Sequence, residues 1–396
     1  LGVASAKHSS DPRGNSQLSR FYSVIITNNE VVGNMDAPLT ELKALQQANG
    51  AVLAPDGIPL HFGDQRREYL AARDGAIVLD RSHEGRLRVS GKDRMAFIHR
   101  ISTNALESLT MGEGRPTLLT NANARILERI VVYHHGDVAW VTTEPGRASA
   151  VVALLKGKIF FNDDALVQDE TLTTARFALY GVGADQMIRT LGVDPDAFSM
   201  WHMTETTFGG KPVLVERIYP LIGAGWAINV LSLTDAGDVW QALVGVGAIP
   251  AGSLTYNALR IESGRPAVGR ELTADYIPLE VGLWDEVSFS KGCYTGQEIL
   301  ARMESRNQLA KVAVRVQMAQ PVQAPQPLMQ EGREVGRLTS SVETPLGEYF
   351  GIAIVKTAAF SDDSRYETEA GIVVTVLGLA ATAPPARMLG AKGEFS

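Results

Sequence analysis

The sequence predicts an α+β protein, a body of mixed strands and helices followed by a small antiparallel β-barrel. Three observations carry this. Strand and helix patterns alternate from Gly75 onward, starting with a strand-turn-helix unit over residues 86–101. An antiparallel hairpin is written into residues 130–141. Past residue 310 the pattern becomes short alternating strands separated by Pro and Gly turns. A chain of 396 residues also exceeds the size at which one core stops growing, so more than one compact unit is expected. The expected divisions are a leader or tail over residues 1–34, a body over 35–310 and the barrel over 311–396.

The elements follow in chain order. Residues 1–34 hold six serines with scattered Lys7, Arg13 and Arg20 and no amphipathic period. They read as translated flanking sequence, a disordered tail or a transit peptide, and Met35 reads as a natural start leading into a helical pattern. Arg86-Leu87-Arg88-Val89-Ser90 alternates as a strand, Gly91-Lys92 turns, and Asp93 is placed to cap a helix with Met95, Phe97, Ile98 and Ile101 on one side. Residues 130–133 and 138–141 flank His134-His135-Gly136-Asp137, the turn of the hairpin. Adjacent histidines on a strand point to opposite faces, so His134 and His135 do not chelate one metal, and no other histidine has metal-site spacing. Residues 180–186 contain glycines but place Gln186 where a dinucleotide fingerprint needs its third glycine, so they read as a loop opening a helix over 186–191. Barrel strands are expected over 311–316, 336–340, 350–355 and 371–377.

Composition narrows the function. A net charge of −7 with both signs mixed along the chain offers no basic stripe, which argues against strong direct nucleic-acid binding. The longest uncharged run, residues 239–259, is broken by Gly245, Gly247 and Pro250, so no bilayer span or membrane partner is expected. One cysteine cannot form an internal disulfide, which fits a reducing cytoplasm and leaves a free thiol to explain.

That thiol lies in Lys291-Gly292-Cys293-Tyr294-Thr295-Gly296-Gln297-Glu298, followed by Ile299-Leu300-Ala301-Arg302. Thr295 and Glu298 have capping-box spacing, which predicts Cys293 just outside a helix N-terminus. The dipole and Lys291 would both favour the thiolate. Gly292 and Gly296 would let backbone amides approach a ligand. The competing reading is an inert buried cysteine beside a routine helix cap.

Residues 291–298 resemble the K-G-C-Y-x-G-Q-E motif of the YgfZ family, folate-dependent factors linked to iron-sulfur protein maintenance and tRNA modification. The resemblance extends through Leu259-Arg260-Ile261-Glu262-Ser263-Gly264, Ile277-Pro278-Leu279-Glu280 and residues 335–341, covering 75–380 in outline. It places the chain among relatives of the glycine-cleavage T-protein aminomethyltransferase. It implies an aminomethyltransferase-like body of two α/β subdomains plus the barrel, around a central cavity for tetrahydrofolate or a derivative. It also implies catalytic roles for Cys293 and Lys291, motif roles for Gly292, Tyr294, Gly296, Gln297, Glu298 and Arg302, and folate contacts from Arg260, Asn121, Glu280 and Trp284.

Two departures from the T-protein pattern stand out. Where that family carries L-T-N-x-x-G-G-I-x-D-D, this chain has Leu119-Thr120-Asn121-Ala122-Asn123-Ala124-Arg125-Ile126-Leu127-Glu128-Arg129, with Glu128 and Arg129 at the acidic pair. Where it carries Y-T-G-E-x-G-x-E, residues 221–227 hold no carboxylate. Arg260 suits the glutamyl carboxylates, or bridges a carboxylate of the protein itself. Trp284 stacks on the pterin or belongs to the core.

Three function classes follow: a folate-dependent maintenance factor partnered with iron-sulfur proteins or their assembly factors, a tetrahydrofolate-dependent aminomethyltransferase or demethylase, and a folate carrier without chemistry. The first is favoured. One cysteine cannot itself hold a conventional cluster, whose irons take about four thiolates. A cytoplasmic location is expected, or the mitochondrial matrix if residues 1–34 are a transit peptide.

Overall fold

The computed structural model describes residues 37–306 and 308–383. The expectations for residues 1–34 lie outside them.

Strands β1 (Val52–Leu53) and β2 (Pro59–His61) form a small ribbon. The body is built on two larger sheets. The strands β3 (Ile77–Asp80), β9 (Ala175–Gly181), β10 (Met203–Phe208), β11 (Lys211–Arg217), β12 (Ala224–Val230) and β13 (Ile249–Ala251) make a six-stranded sheet in the order β10-β11-β12-β9-β3-β13. The strands β4 (Glu84–Ser90), β5 (Gly114–Thr120), β6 (Ile126–His135), β7 (Val138–Pro145) and β8 (Leu166–Asp169) make a five-stranded sheet in the order β5-β6-β7-β4-β8. Pairing is antiparallel throughout these two sheets except between β13 and β3.

Strand alternation decides what each sheet face touches. Ile130 and Val132 of β6 join Leu87, Val89 and Val141 against the helices Arg94–Ile101 and Ala148–Lys156. Phe177 and Leu179 of β9 join Val213, Val215, Trp226 and Ile228 against the helices Ala37–Ala48, Ala184–Thr190 and Ala236–Gly245. The opposite faces meet in a small apolar cluster of Val131, Tyr133, Trp140, Met203 and Leu214. Where that cluster ends, the space between the sheets is lined by charged residues instead.

The hairpin forms as its sequence predicts, with His135 opposite Val138 across the Gly136-Asp137 turn. The helix Arg94–Ile101 also forms, but Asp93 makes no side-chain cap; its Oδ2 accepts from the Asp164 amide at 2.9 Å, tying this turn to the end of a distant loop.

After residue 310 the strands β14 (Lys311–Met318), β15 (Gln326–Gln330), β16 (Arg333–Glu343), β17 (Tyr349–Lys356), β18 (Arg365–Glu367) and β19 (Val373–Leu379) close a barrel in the order β14-β17-β16-β15-β18-β19. Four strands match the sequence pattern. β15 begins inside residues 321–327, one of the Pro-containing segments expected as turns between strands, and β18 is three residues long, too short for alternation to register.

Candidate functional site

The motif loop reaches its position by a different route from the expected capping box. The helix here is Gln297–Ser305, with Gly296 at its N-cap at φ +88° and no side-chain cap. Glu298 turns to Arg302 at 2.6 Å along the helix surface. Thr295 contributes its carbonyl, which accepts from the Thr120 hydroxyl at 2.6 Å. A Cβ on Gly296 would lie 2.8 Å from the Asn121 carbonyl oxygen, so glycine is required by close loop-to-loop approach as well as by φ. Cys293 therefore lies three residues before the N-cap, outside the first turn where a helix dipole acts. The two segments singled out in the sequence, 119–125 and 291–298, are packed together.

Lys291 anchors this loop. Its Nζ donates to the carbonyls of His99, Ser102 (2.6 Å) and Asn104 (3.2 Å), at and just beyond the C-terminus of the helix Arg94–Ile101. The His99 carbonyl is one of those a helix end leaves without an intrahelical partner. Burial lowers the Lys291 pKa to about 8. Its ammonium is thus committed to the helix end. Tyr294 points inward, its ring centroid 5.1 Å from that ammonium, and burial pushes its hydroxyl up to about 12. Gln297 Nε2 donates to the Lys291 carbonyl at 3.3 Å. Gly292 faces open space and Cys293 is exposed as a free thiol.

Three cavities are bordered by Trp201, and none is lined by residues 291–298; the link to the motif loop is Asn104, which borders one of them and accepts from Lys291. One of about 450 Å³ sits between the two sheets and is lined by Glu84, Glu144, Arg129, Arg176 and Arg265. One of about 480 Å³ shares Arg129 and Arg265 with it and runs to Leu283, Glu286 and Thr382. The third, about 680 Å³, opens past Asn104, Glu113 and Arg115 at the edge of the five-stranded sheet. The volumes include space open to solvent. Trp201 itself has φ +62°, a strained setting for a large side chain.

The charges between the sheets are arranged in pairs. Arg129 donates from Nε to both Glu286 oxygens at 2.9 Å and from Nη1 to Glu144 at 2.9 Å. Arg176 bridges Glu84 and Glu216, each at 2.9 Å, and reaches Asn229 at 2.7 Å. Burial raises the Glu286 pKa and the Arg129 guanidinium opposes that rise. For Glu84 burial also pushes upward, but Arg81 and Arg176 outweigh it and hold the carboxyl down at about 2.

Parity on β6 separates the two residues that replace the T-protein acids. Arg129 and Val131 face the cavity. Glu128 faces the other way and is held by Arg147. The expected folate contacts fall elsewhere, and none of the four lines these cavities. Asn121 folds its own loop, its Oδ1 accepting from the amides of Asn123 (2.9 Å) and Arg125 (3.0 Å). Glu280 accepts from the Ile277 amide at 3.2 Å and lies 3.7 Å from Arg125. Trp284 is part of the core beneath the barrel, near Phe289. Arg260 is 6% exposed and ties its helix to the barrel, bonding Asn257 at 2.9 Å and Ser340 at 3.1 Å, with Glu271 at 3.7 Å. Sequence reasoning missed Arg265, Trp201 and Glu144. Only Glu144 carried a signal, since its parity on β7 follows from the hairpin. Among the described residues no group of His, Cys, Asp and Glu is arranged to hold a metal, and no helix is long and apolar enough to cross a membrane.

Two sheets with a charged cavity between them, followed by a closed barrel, make an aminomethyltransferase-like fold. Residues 46–291 match the GCVT N-terminal domain, and the chain belongs to that family. It is 32% identical over 342 residues to "Putative transferase At1g60990, chloroplastic" of Arabidopsis thaliana, covering 85% of this chain and 79% of that one. It is 28% identical over 333 residues to the aminomethyltransferase of Streptomyces avermitilis, covering 81% and 89%. The crystal structure of glycine cleavage system aminomethyltransferase T from Bartonella henselae shares the fold, with a TM-score of 0.76 at 21% identity over 87% of this chain and 97% of that one.

Proposed function

We propose that this chain is a cytoplasmic, reduced-folate-binding factor of the YgfZ kind. In this reading it maintains iron-sulfur proteins through the thiol of Cys293 and affects tRNA modification only indirectly. The observation that carries the proposal is the division of labour at the site. The thiol stands exposed on its K-G-C-Y-T-G-Q-E loop, while Arg129 occupies the cavity-facing place of a T-protein acid and is already paired with Glu286 and Glu144. Aminomethyl transfer, the alternative, would need an acid there, and Glu128 is turned away toward Arg147.

The lining of the cavities offers chemistry that suits a folate. Glu84 and Glu144 offer acceptors for a pterin's amino edge, and Trp201 offers a ring face. A bound reduced folate would supply a one-carbon carrier. Around it Arg129 fixes the orientation of Glu144 and Glu286, and Lys291 holds the Cys293 loop in place. The functional division of the chain is proposed to follow 35–310 for the ligand-binding body and 311–396 for the barrel.

Calorimetry of the purified protein with tetrahydrofolate, paired with complementation of a deletion strain, tests the proposal. Micromolar or tighter binding is expected, together with restored cluster-enzyme activity by wild type and none by Cys293→Ser. Absence of folate binding, or full rescue by the serine variant, would overturn it.

A further inference from the structure

The five-stranded sheet ends on β8, which pairs with β4 on one side; among the described residues no strand pairs with its other side. The amide of Glu170, one residue past β8, donates to the Arg86 carbonyl at 2.8 Å. Bonding in an antiparallel ladder alternates, so Leu166 and Gln168 also turn their backbone groups to β4, and Val167 and Asp169 turn theirs outward. An unpaired edge of this kind is a template for another strand.

The flanks of that edge are apolar. Phe161 is fully exposed and Leu172 is 81% exposed, with Phe160 and Leu166 exposed beside them. None of residues 156–172 lines the cavities bordered by Trp201. The loop that carries Phe161 is tied down. Asp163 closes a turn on Phe160, its amide donating to the Phe160 carbonyl at 3.0 Å and its carboxylate accepting from the Phe160 amide at 2.7 Å and from Arg100 at 2.9 and 2.6 Å. Phe161 is thus presented on an ordered turn, where association costs little conformational freedom.

Charge separates along the same edge. Lys156 and Lys158 precede the Phe161 turn at the Leu166 end, while Asp169 and Glu170 lie at the other end. Among the described residues none of these four forms a salt bridge. The order of cations, apolar flank and anions is self-complementary when reversed, and lysine would face lysine if two such edges ran parallel. That pattern favours a second copy over an unrelated partner.

We propose that this edge is the interface of a two-fold homodimer, in which β8 pairs antiparallel with β8 of a second copy and the two five-stranded sheets become continuous. The outward groups of Val167 and Asp169 supply the ladder bonds. Each Phe161 turn meets Leu172 of the other copy, and Lys156 and Lys158 of one meet Asp169 and Glu170 of the other.

Sedimentation velocity of the full chain over a concentration series tests this. Wild type is expected to reach dimer mass at micromolar concentration. Phe161→Asp should raise the dimer dissociation constant about 10- to 100-fold, as for an aromatic anchor lost from both halves, and it folds because the side chain is fully exposed. Leu346→Asp, at an exposed leucine of the barrel, should leave the constant unchanged. Lys156→Glu with Lys158→Glu should weaken the homodimer, and so should Asp169→Lys with Glu170→Lys. Mixing these two proteins should restore a dimer, because every contact across the interface then joins opposite charges. A wild type that stays monomeric throughout the series, a dimer indifferent to Phe161→Asp, equal weakening by Leu346→Asp, or charge-reversed proteins that fail to associate on mixing would each overturn the inference.

Discussion

Replacing Arg129 by methionine removes the cation that three carboxylate contacts converge on: Nε to both Glu286 oxygens at 2.9 Å and Nη2 to one of them at 2.6 Å. A fourth contact, Nη1 to Glu144 at 2.9 Å, is lost with them. The Arg129 and Glu286 side chains are 9% and 4% exposed, so water replaces only part of the lost contact. Breaking such a buried pair from one side costs about 3–5 kcal/mol, most of it the burden of the carboxylate left behind. Replacing both partners by apolar groups is often close to neutral. The double variant Arg129→Met with Glu286→Leu should therefore recover most of the loss, to within about 1–2 kcal/mol of wild type.

The pH dependence has a definite sign. Burial raises the Glu286 pKa, and without Arg129 nothing on that side opposes the rise. Above the unfolded glutamate value of about 4.3 the unfolded chain has released its proton while the folded variant keeps it, so stability falls as pH rises. Urea midpoints at pH 5.5 and pH 8 should show a larger deficit at pH 8. A single variant within about 1 kcal/mol of wild type, or a double variant no better than the single, would refute the argument that this pair is buried and interdependent.

Other expectations concern the motif loop and the acid limb. Iodoacetamide should alkylate Cys293 in the folded protein, because the thiol is exposed, and Cys293→Ser should melt with wild type; a thiol that reacts only after unfolding would refute its exposure. Lys291→Met strands the carbonyls of His99, Ser102 and Asn104 and should cost about 2–3 kcal/mol while changing the alkylation rate of Cys293; unchanged urea midpoints would show that the ammonium is not an anchor. Burial, then Arg81, lowers the His83 pKa to about 3, so below about 6.5 the unfolded chain binds a proton that the folded one refuses and stability falls with pH. His83→Phe should flatten the urea midpoint between pH 6.5 and 4.5, and an unaltered slope there would place the acid sensitivity elsewhere.

The sequence by itself determined what is local. Alternation wrote the hairpin of β6 and β7, four barrel strands and the helix Arg94–Ile101, because each is set by a period of two or 3.6 over enough residues to register. The motif around Cys293 was legible as a string; its glycines were read as room for a ligand, whereas Gly296 makes a close loop-to-loop approach with Asn121 and Gly292 faces open space. Tertiary structure decided how those strings are used. Thr295 and Glu298 have the spacing of a capping box, yet docking onto Thr120 and a surface pair with Arg302 claim them instead. Lys291 sits two residues from the cysteine in sequence, but its charge goes to a helix end some 190 residues away. Arg260 and Arg265 are the same residue type and close in sequence; one is consumed by the barrel and the other has, among the described residues, a buried nitrogen without a partner at the cavity. Hydrogen-bond partners are chosen by proximity in space, and long-range packing, which no local period encodes, sets that proximity.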